Sequence, residues 1–337
     1  MPRIASLFGA AALAVSAASA APLYHVQVLP PVEGFESVFP TAMEPGIVVG
    51  TAGGDRFDPL GVPVIWDGTN WLALEKPGSS SFALGLAGAD LIVGTSANEP
   101  VVWRNGRRAP LAAIDGMPGG FAHDANRSGV IVGSVVNDLF GIEVPAAWNA
   151  ADGAGELLRI PRNASVGTAL AINAGGEIAG SVDGTPVVWP SSKRPPRRLP
   201  VVSGAIGGEL LDVNDLGDAV GRATFPDGSS QAMAVFAGDR AATGLGVLGG
   251  TYSAAGAVNG RRQIVGASSS PLGARAFFWE AGTMTDLNDL VASTSEPILA
   301  IVDAVAIDDA GEIAAQVVVA TPFGPATRVA VLTPVFP

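Results

Sequence analysis

The sequence has 337 residues, of which 48% are apolar and only 15% charged, with 31 acidic side chains against 19 basic ones and no cysteine. The acidic balance excludes nucleic acid and anionic lipid surfaces as expected partners, because both are bound through basic surfaces. The missing cysteines exclude disulfides, thiolate nucleophiles and cysteine-ligated metals from this sequence.

The first twenty residues have the pattern of a secretory signal peptide. Arg3 precedes an apolar run from Ile4 to about Val15, and small residues follow up to Ala20. The run is shorter than the roughly 20 apolar residues that span a bilayer. We therefore predict a signal peptide at 1–20, a single domain at 21–337 without a membrane span, and a secreted or periplasmic location. Removing Arg3 from a net charge of −12 leaves −13.

The composition indicates an all-β chain. Gly (44) and Pro (26) are frequent, and few stretches continue a helical period past the next of them. Short runs of Val, Ile, Ala and Leu between such turn residues are typical of many short strands.

A motif of about ten residues recurs along the chain: two apolar residues, Asn or Asp, a polar turn, and an apolar run closed by a small residue. The small residues are Gly50, Gly94, Gly133, Gly180, Gly221, Gly266 and Ala315. Seven positions before them stand Met43, Ala87, Asn126, Asn173, Asn214, Asn259 and Asp308. The period is about 44 residues, and the motif predicts the first hairpin of a repeated unit, with Gly placed where backbones approach closely.

Each motif is followed by a second apolar run with a large residue near its end. These residues are Trp66, Trp103, Trp148, Trp189, Phe236, Trp279 and Leu332, and a Leu-containing segment usually follows. We interpret the rings as core, because large aromatic side chains bury much apolar area. Four apolar segments in about 44 residues, here named A to D, match one blade of a β-propeller.

The two chain ends predict how the ring closes. The seventh repeat stops after its C segment, while residues 24–31 precede the first A segment and resemble an unpaired D segment. The prediction is therefore a seven-bladed β-propeller closed by the N-terminal strand, which leaves few exposed sheet edges. An elongated solenoid, or a ring of six or eight blades, remains as an alternative.

The stretch at 244–287 resembles the HAF repeat of secreted bacterial proteins. Arg275, Ala276 and Phe277 stand where that family has His-Ala-Phe, and the other repeats match more loosely. The resemblance implies an extracellular or periplasmic repeat protein. It carries no catalytic residue over to this sequence.

Residues able to perform chemistry are few. His25 lies in the N-terminal segment and His123 in an A segment, and a structural role is expected for both. The stretch at 212–218 is acidic but fails the calcium-loop pattern at Leu216 and Ala223, so we interpret it as a polar hairpin turn. The glycines at 244–249 lack the helix that a nucleotide site needs. No catalytic residue, metal site or cofactor is predicted.

Alternating strands place the B–C and D–A connections on one face of a propeller, here called the long-loop face. These connections are expected to be longer than the A–B and C–D turns, and variable loops on a rigid scaffold are where binding usually resides. The candidate ligand-binding residues are Arg56, Phe57, Asp58, Asp138, Phe140, Phe225, Asp227 and Tyr252.

The function suggested by these patterns is a non-catalytic extracellular binding module, expected to be monomeric, for a glycan or a protein. The alternative is a carbohydrate-active hydrolase or lyase that uses paired carboxylates on the long-loop face. A third possibility is a purely structural surface protein without a concave site. The fold by itself does not choose among them.

Overall fold

The computed structural model describes residues 21–54, 60–78, 80–137 and 141–335. Its strands form seven sheets that surround one axis as the blades of a β-propeller, so the predicted fold class is confirmed. In each sheet the four strands A to D follow one another antiparallel from the axis outward. Within the described residues the helical structure is limited to one short 3₁₀ helix, Leu287–Leu290.

The first four blades each consist of four strands in chain order. They are β2 (Val38–Glu44), β3 (Ile47–Ala52), β4 (Val62–Trp66) and β5 (Trp71–Ala73) in blade 1; β6 (Ser81–Leu86), β7 (Ile92–Ser96), β8 (Glu99–Arg104) and β9 (Arg107–Pro110) in blade 2; β10 (Gly119–Ala125), β11 (Val130–Asn137), β12 (Ile142–Asn149) and β13 (Gly155–Leu157) in blade 3; and β14 (Gly167–Ile172), β15 (Ile178–Val182), β16 (Thr185–Trp189) and β17 (Arg197–Arg198) in blade 4.

The last three blades repeat this order until the seventh, whose fourth strand comes from the other end of the chain. They are β18 (Gly207–Val213), β19 (Ala219–Thr224), β20 (Ser230–Val235) and β21 (Thr243–Gly246) in blade 5; β22 (Ser253–Val258), β23 (Ile264–Ser270), β24 (Gly273–Glu280) and β25 (Thr283–Asp286) in blade 6; and β27 (Ala300–Ile307), β28 (Ile313–Thr321), β29 (Gly324–Val335) and β1 (Leu23–Val28) in blade 7.

The ring closes as the sequence predicts. Strand β1 pairs antiparallel with β29 from Leu23 opposite Val335 to Val28 opposite Ala330. A further strand, β26 (Val291–Thr294), belongs to the link between blades 6 and 7 and pairs parallel with the outer edge of β1. The closing blade therefore has five strands, and β26 covers an edge that would otherwise expose unpaired backbone groups.

Every A strand contains a β-bulge, an extra residue left unpaired in the ladder with strand B. In β10, for example, Ala122 pairs with Gly133 and Asp124 with Val132, so His123 is the extra residue. The bulge residues of the seven blades are Thr41, Leu84, His123, Leu170, Leu211, Gly256 and Val305. The bulges were not predicted.

The bulges explain the recurring glycine of strand B. A Cβ atom on Gly94 or Gly133 would lie 1.9 Å from the carbonyl oxygen of the facing A strand, and four other repeats have the same contact within 2.3 Å. The expected close backbone approach is thus confirmed for blades 1 to 6, and it lies within each of these blades. In blade 7 the position holds Ala315, opposite a strand with two register shifts.

The recurring Asn closes the A–B turn and also joins neighbouring blades. The Oδ1 atom of Asn173 accepts a hydrogen bond from the backbone N–H of Glu177 (2.9 Å), while its Nδ2 donates to the carbonyl of Asn214 in the next blade (2.9 Å). Asn126, Asn214 and Asn259 donate in the same way to the following blade. This line of four hydrogen bonds, here called the Asn ladder, spans blades 3 to 7.

The first repeat departs from the spacing used to find it. The turn between β2 and β3 is one residue shorter than that of blade 2, so Glu44, and not Met43, occupies the position of Ala87. The Glu44 carboxylate accepts a hydrogen bond from the backbone N–H of Gly88 (3.2 Å). Its side chain therefore also reaches the A–B turn of the next blade.

The tryptophans lie in the core between blades, as expected. Trp103, Trp148 and Trp189 are fully or almost fully buried, and each indole N–H donates to a backbone carbonyl that follows strand D of the preceding blade. Each ring thus fills apolar space and satisfies its one polar atom across a blade interface.

The lengths of the connections follow the prediction only in part. The B–C connection has only two residues in blades 2, 4, 6 and 7, since strands B and C continue to the tip of the hairpin. The D–A connections are the long ones, with six residues or more. The expectation of long B–C loops is therefore wrong for most blades, while the long-loop face keeps its name from the D–A segments.

Candidate functional site: the axial channel

All seven A strands line a cavity of about 640 Å³ on the axis of the ring. Each A strand begins at the long-loop face, and the lining residues lie between these strand starts and the bulges. Tyr252, which ends the D–A connection before β22, lies at the mouth. The cavity, here called the axial channel, therefore faces the long-loop face and has the size of a typical ligand site.

Two levels of side chains form most of the wall. The deeper level consists of the seven bulge residues, all of which line the cavity. The outer level consists of residues two positions earlier in their strands: Phe82, Phe121, Thr168, Glu209, Ala254 and Asp303. Because residues two positions apart in a strand point to the same side, both levels line the cavity from the same strand.

Aromatic rings occupy one side of the outer level and the mouth. Phe82 and Phe121 come from neighbouring blades, and the Phe121 ring stacks on the His123 imidazole with 5.7 Å between centroids. Burial lowers the pKa of His123 to about 4, so this imidazole is neutral near pH 7. The mouth residue Tyr252 is held by hydrogen bonds between its backbone and the Ser269 side chain and backbone.

Three carboxylates from three blades also line the channel: Glu143 of blade 3, Glu209 of blade 5 and Asp303 of blade 7. Burial raises the pKa of Glu143. Glu209 binds Arg222 of the neighbouring strand through its Oε1 atom (2.7 Å). Arg222 itself does not line the cavity.

Two further carboxylates join blades just beyond the bulges. Asp124 accepts hydrogen bonds from the backbone N–H groups of Ala125 (2.8 Å) and of Ile172 in the next blade (2.9 Å). Asp212 has the same arrangement with Val213 and with Val258 of blade 6, both at 2.8 Å. Burial outweighs these hydrogen bonds and raises the pKa to about 7 for Asp124 and about 6 for Asp212. Both carboxylates hold the fold together.

The structure brings one of the predicted site residues to the channel. Tyr252 lines it, whereas Phe225 packs against the core of blades 4 and 5. Asp227 closes its own turn, and the hydrogen bonds from Ser229 lower the pKa of its carboxyl group. The other predicted residues, Arg56, Phe57, Asp58, Asp138 and Phe140, lie outside the described residues.

The acidic stretch at 212–218 forms the A–B turn of blade 5. The carboxylate of Asp218 binds the Arg262 guanidinium, and Oδ1 of Asp215 accepts from the N–H of Ala174 (2.8 Å). In the part of the chain that the structure describes, no group of three or more His, Asp or Glu side chains is arranged to hold a metal ion. No helix of the described residues is long and apolar enough to cross a membrane.

A larger groove, of about 870 Å³, lies between blades 5 and 6 on the opposite face. Its prominent side chains already contact one another: the Arg262 guanidinium lies 4.9 Å from the centre of the Phe236 ring and binds Asp218. Phe236 also stacks on Trp279 with 6.0 Å between centroids. We therefore place the candidate site in the axial channel, which is lined by every blade.

The long-loop face carries most of the exposed large apolar side chains. Of the twelve large apolar residues that are exposed in the described chain, eight lie in D–A or B–C connections: Leu60, Val166, Ile206, Val247, Tyr252, Leu272, Leu299 and Phe323. They follow one another from the junction of blades 3 and 4 around to blade 1. We call this set the apolar arc. On the opposite face the A–B turns carry one such residue, Leu216.

Most channel residues were not found from the sequence. Part of their pattern was available, because in six of the seven repeats the bulge position lies three residues before the Asn position of the motif; in the first repeat Thr41 lies two residues before Met43. Across the repeats that position varies among Thr, Leu, His, Gly and Val, while the residue before it is always small or apolar. Variation at a fixed place in a repeat is the pattern expected of residues facing a shared channel.

No family model matches the sequence. No curated protein matches it either. Among solved structures, the chain is similar to the Dos1 propeller, with a TM-score of 0.51, 10% identity, and coverage of 88% of this chain and 78% of that one.

Two further similar structures cover most of this chain. YCF48 bound to D1 peptide has a TM-score of 0.48 and 8% identity, with 94% of both chains covered. TolB from Acinetobacter baumannii has a TM-score of 0.40 and 13% identity, with 86% of this chain and 64% of that chain covered. At 10% identity the similarity to the Dos1 propeller bears on the fold alone, and the fold it supports is the β-propeller.

Proposed function

We propose that this protein is an exported, non-catalytic interaction module that binds a protein partner through its long-loop face. The observation that carries the proposal is the apolar arc. Phe323 is 88% exposed, Leu272 77% and Ile206 71%, and all three belong to this face. Large apolar side chains that are exposed on one face of a domain are typical of interaction sites.

The lack of charge in four connections that carry the apolar arc favours a protein ligand over a glycan. The connections 199–206, 247–252, 271–272 and 322–323, which supply most of the arc, contain no charged residue. Protein interfaces have an apolar core depleted of charge, whereas a free sugar surface is rich in hydroxyl groups. Export is supported by the signal-peptide pattern at 1–20 and by the resemblance of 244–287 to the HAF repeat.

Capture experiments with matched variants test the proposal. The full-length protein would be expressed in its native organism with an affinity tag, alongside Leu272→Asp with Phe323→Asp and, as control, Leu216→Asp on the opposite face, where Leu216 is 57% exposed. We expect one protein to be retained by the parent and the control and lost with the double variant. Equal retention by all three would contradict binding through the arc.

The enzymatic alternative rests on the three carboxylates of the channel. Burial raises the pKa of Glu143, which is the property a general acid needs, and Glu209 and Asp303 line the same cavity. A hydrolase or lyase would turn over an oligosaccharide and lose that activity with Glu143→Gln. If the parent turns over an oligosaccharide and the folded Glu143→Gln variant does not, the protein is an enzyme and the proposal of a non-catalytic module is wrong.

A further inference from the structure

The deep level of the axial channel carries no charge near pH 7. Its seven bulge residues comprise four aliphatic side chains, a glycine, a threonine and a histidine: Leu84, Leu170, Leu211, Val305, Gly256, Thr41 and His123. The histidine is neutral because burial lowers the pKa of its imidazole to about 4. A charged ligand group would lose its water at this level without meeting an opposite charge. The deep level therefore favours an uncharged ligand.

The carboxylates of the channel lie nearer the long-loop face than the bulge residues do. Glu209 and Asp303 belong to the outer level, and Arg222 binds the Glu209 carboxylate at 2.7 Å. Strand pairing places Glu143 level with Gly119, the first residue of β10, and thus closer still to that face. The negative charge of the channel is therefore concentrated toward its mouth, where it repels anions.

Aromatic surface lines the channel at blade 3. The Phe121 ring stacks on the His123 imidazole, with 16° between the two planes and 5.7 Å between the centroids. Both residues line the cavity, one at the outer level and one at the deep level. A planar ring that lies against such a stack gains aromatic contact in addition to burying apolar area. This side of the wall therefore suits a flat aromatic ring.

The opposite side of the channel has small side chains. Blade 6 stands across the axis from blade 3, because the two blades are three steps apart in a ring of seven. Below the mouth, blade 6 contributes Ala254, Gly256 and Ala267 to the wall. The cavity of about 640 Å³ thus extends from the aromatic stack to these small residues, and it has room for a molecule with two fused rings.

The His123 imidazole can hydrogen-bond to such a molecule. Among the described residues no backbone or side-chain group hydrogen-bonds to this imidazole, and burial alone lowers its pKa. A neutral imidazole has one nitrogen that donates and one that accepts. Because buried polar groups are rarely left without a partner, a hydroxyl or N–H group is expected on the ligand.

We propose that the axial channel binds an uncharged aromatic molecule that has two or more fused rings and a hydroxyl or N–H group. Its rings lie between the Phe121–His123 stack and the small residues of blade 6, and its polar group bonds to the imidazole. This site goes beyond the proposed function and does not depend on it, because the small molecule occupies the channel and the protein partner binds the apolar arc.

Matched small molecules test the site on the full-length protein. The probe is 2-naphthol. The matched compounds are decahydro-2-naphthol, which carries the hydroxyl on saturated rings, and 2-naphthoate, which is an anion. Binding is measured by calorimetry and by the rise in melting temperature. We expect saturable binding of 2-naphthol, roughly fivefold weaker binding of the saturated alcohol, and binding of the anion that is weaker by roughly tenfold.

Variants of the wall supply the second arm. Ala254→Leu fills the space in front of blade 6 and should weaken 2-naphthol binding by roughly tenfold. The control is Ala274→Leu, at an exposed position of the same blade, which should leave binding unchanged. Phe121→Leu keeps an apolar side chain but removes the aromatic face, so 2-naphthol and the saturated alcohol should then bind within roughly twofold of each other. Circular dichroism melting shows whether each variant is folded, and Phe121→Leu serves alone if Ala254→Leu is not.

The outcomes are independent of the capture experiment. Equal binding of 2-naphthol and the saturated alcohol by the parent, or no saturable binding of 2-naphthol, would overturn the assignment. It would also be overturned if folded Ala254→Leu bound 2-naphthol as the parent does, or if Phe121→Leu kept the preference for the aromatic compound. The proposed function is decided separately, by capture with Leu272→Asp and Phe323→Asp.

Discussion

The two faces of the ring are built from the two ends of the same strands, yet they differ in their side chains. One face has polar side chains that are hydrogen-bonded within the fold, and the other has exposed apolar side chains. On the face of the A–B turns the Asn side chains bind backbone groups of their own turn and of the next blade. On the long-loop face eight large apolar side chains of the described residues are exposed. The polar side chains of the first face are used to stabilise the fold, whereas the exposed apolar side chains of the second face are available to contact a ligand.

The largest effect on stability is expected for a substitution inside a blade, where strands A and B are closely packed. Gly133→Ala would place a Cβ atom 1.9 Å from the carbonyl oxygen of Phe121, so the strands must move apart. We expect a loss of about 3 kcal/mol or more in the free energy of unfolding, measured by chemical denaturation. Ala315→Gly, at the same position in blade 7, should cost about 1 kcal/mol or less. Similar losses for both would show that the bulge contact does not restrict this position.

The next largest effect on stability is expected for the Asn ladder, which lies on the face of the A–B turns. Asn173→Ala removes hydrogen bonds to Asn214 and Glu177 and leaves buried backbone groups unpaired, which should cost about 2–4 kcal/mol. Asn149→Ala is the control, since Asn149 is exposed on the same face and caps only its own turn. Its cost should stay below about 1 kcal/mol. Equal costs would mean that the bonds between blades add no stability.

A pH dependence should follow from Asp124, which joins blades 3 and 4. Burial raises its pKa from 3.8 to about 7, so the folded protein binds the proton more tightly than the unfolded chain does. Its contribution to stability is therefore full below about pH 4 and is lost as the pH rises through 7. The melting temperature of the parent minus that of Asp124→Asn should decrease by about 2–4 °C or more between pH 4.5 and 7.5.

Taking the difference in melting temperature between the parent and Asp124→Asn removes the contribution of the other titratable groups, which both proteins share. His123 acts in the opposite direction, because burial lowers its pKa to about 4 and its contribution to stability is lost as the pH falls. A difference that stays constant or increases with pH would contradict the raised pKa of Asp124. Asp212→Asn should repeat the result of Asp124→Asn, shifted toward lower pH.

The smallest effect on stability is expected on the long-loop face. Phe323→Asp changes a side chain that is 88% exposed, so the free energy of unfolding should change by less than about 0.5 kcal/mol. The same substitution should reduce the fluorescence of a dye that binds apolar surface. A large loss of stability would show that Phe323 is part of the core and not of an interaction surface.

The contrast between the faces also explains what could be predicted from the sequence. The blade motif, the buried tryptophans and the closure by β1 were predictable. Residues that the fold requires recur in every copy of the repeat, so comparing the copies identifies them. The bulges and strand β26 were not, since an unpaired residue has no distinct composition and β26 occurs in one blade only. Channel residues such as His123 and Glu209 occur once each, and only the ring brings them together.

The most direct test of the account is the capture of a partner by matched variants of the two faces. The account predicts that one protein is retained by the parent and by Leu216→Asp, and is lost when Leu272→Asp and Phe323→Asp are combined. Equal retention by all three proteins would contradict binding through the apolar arc.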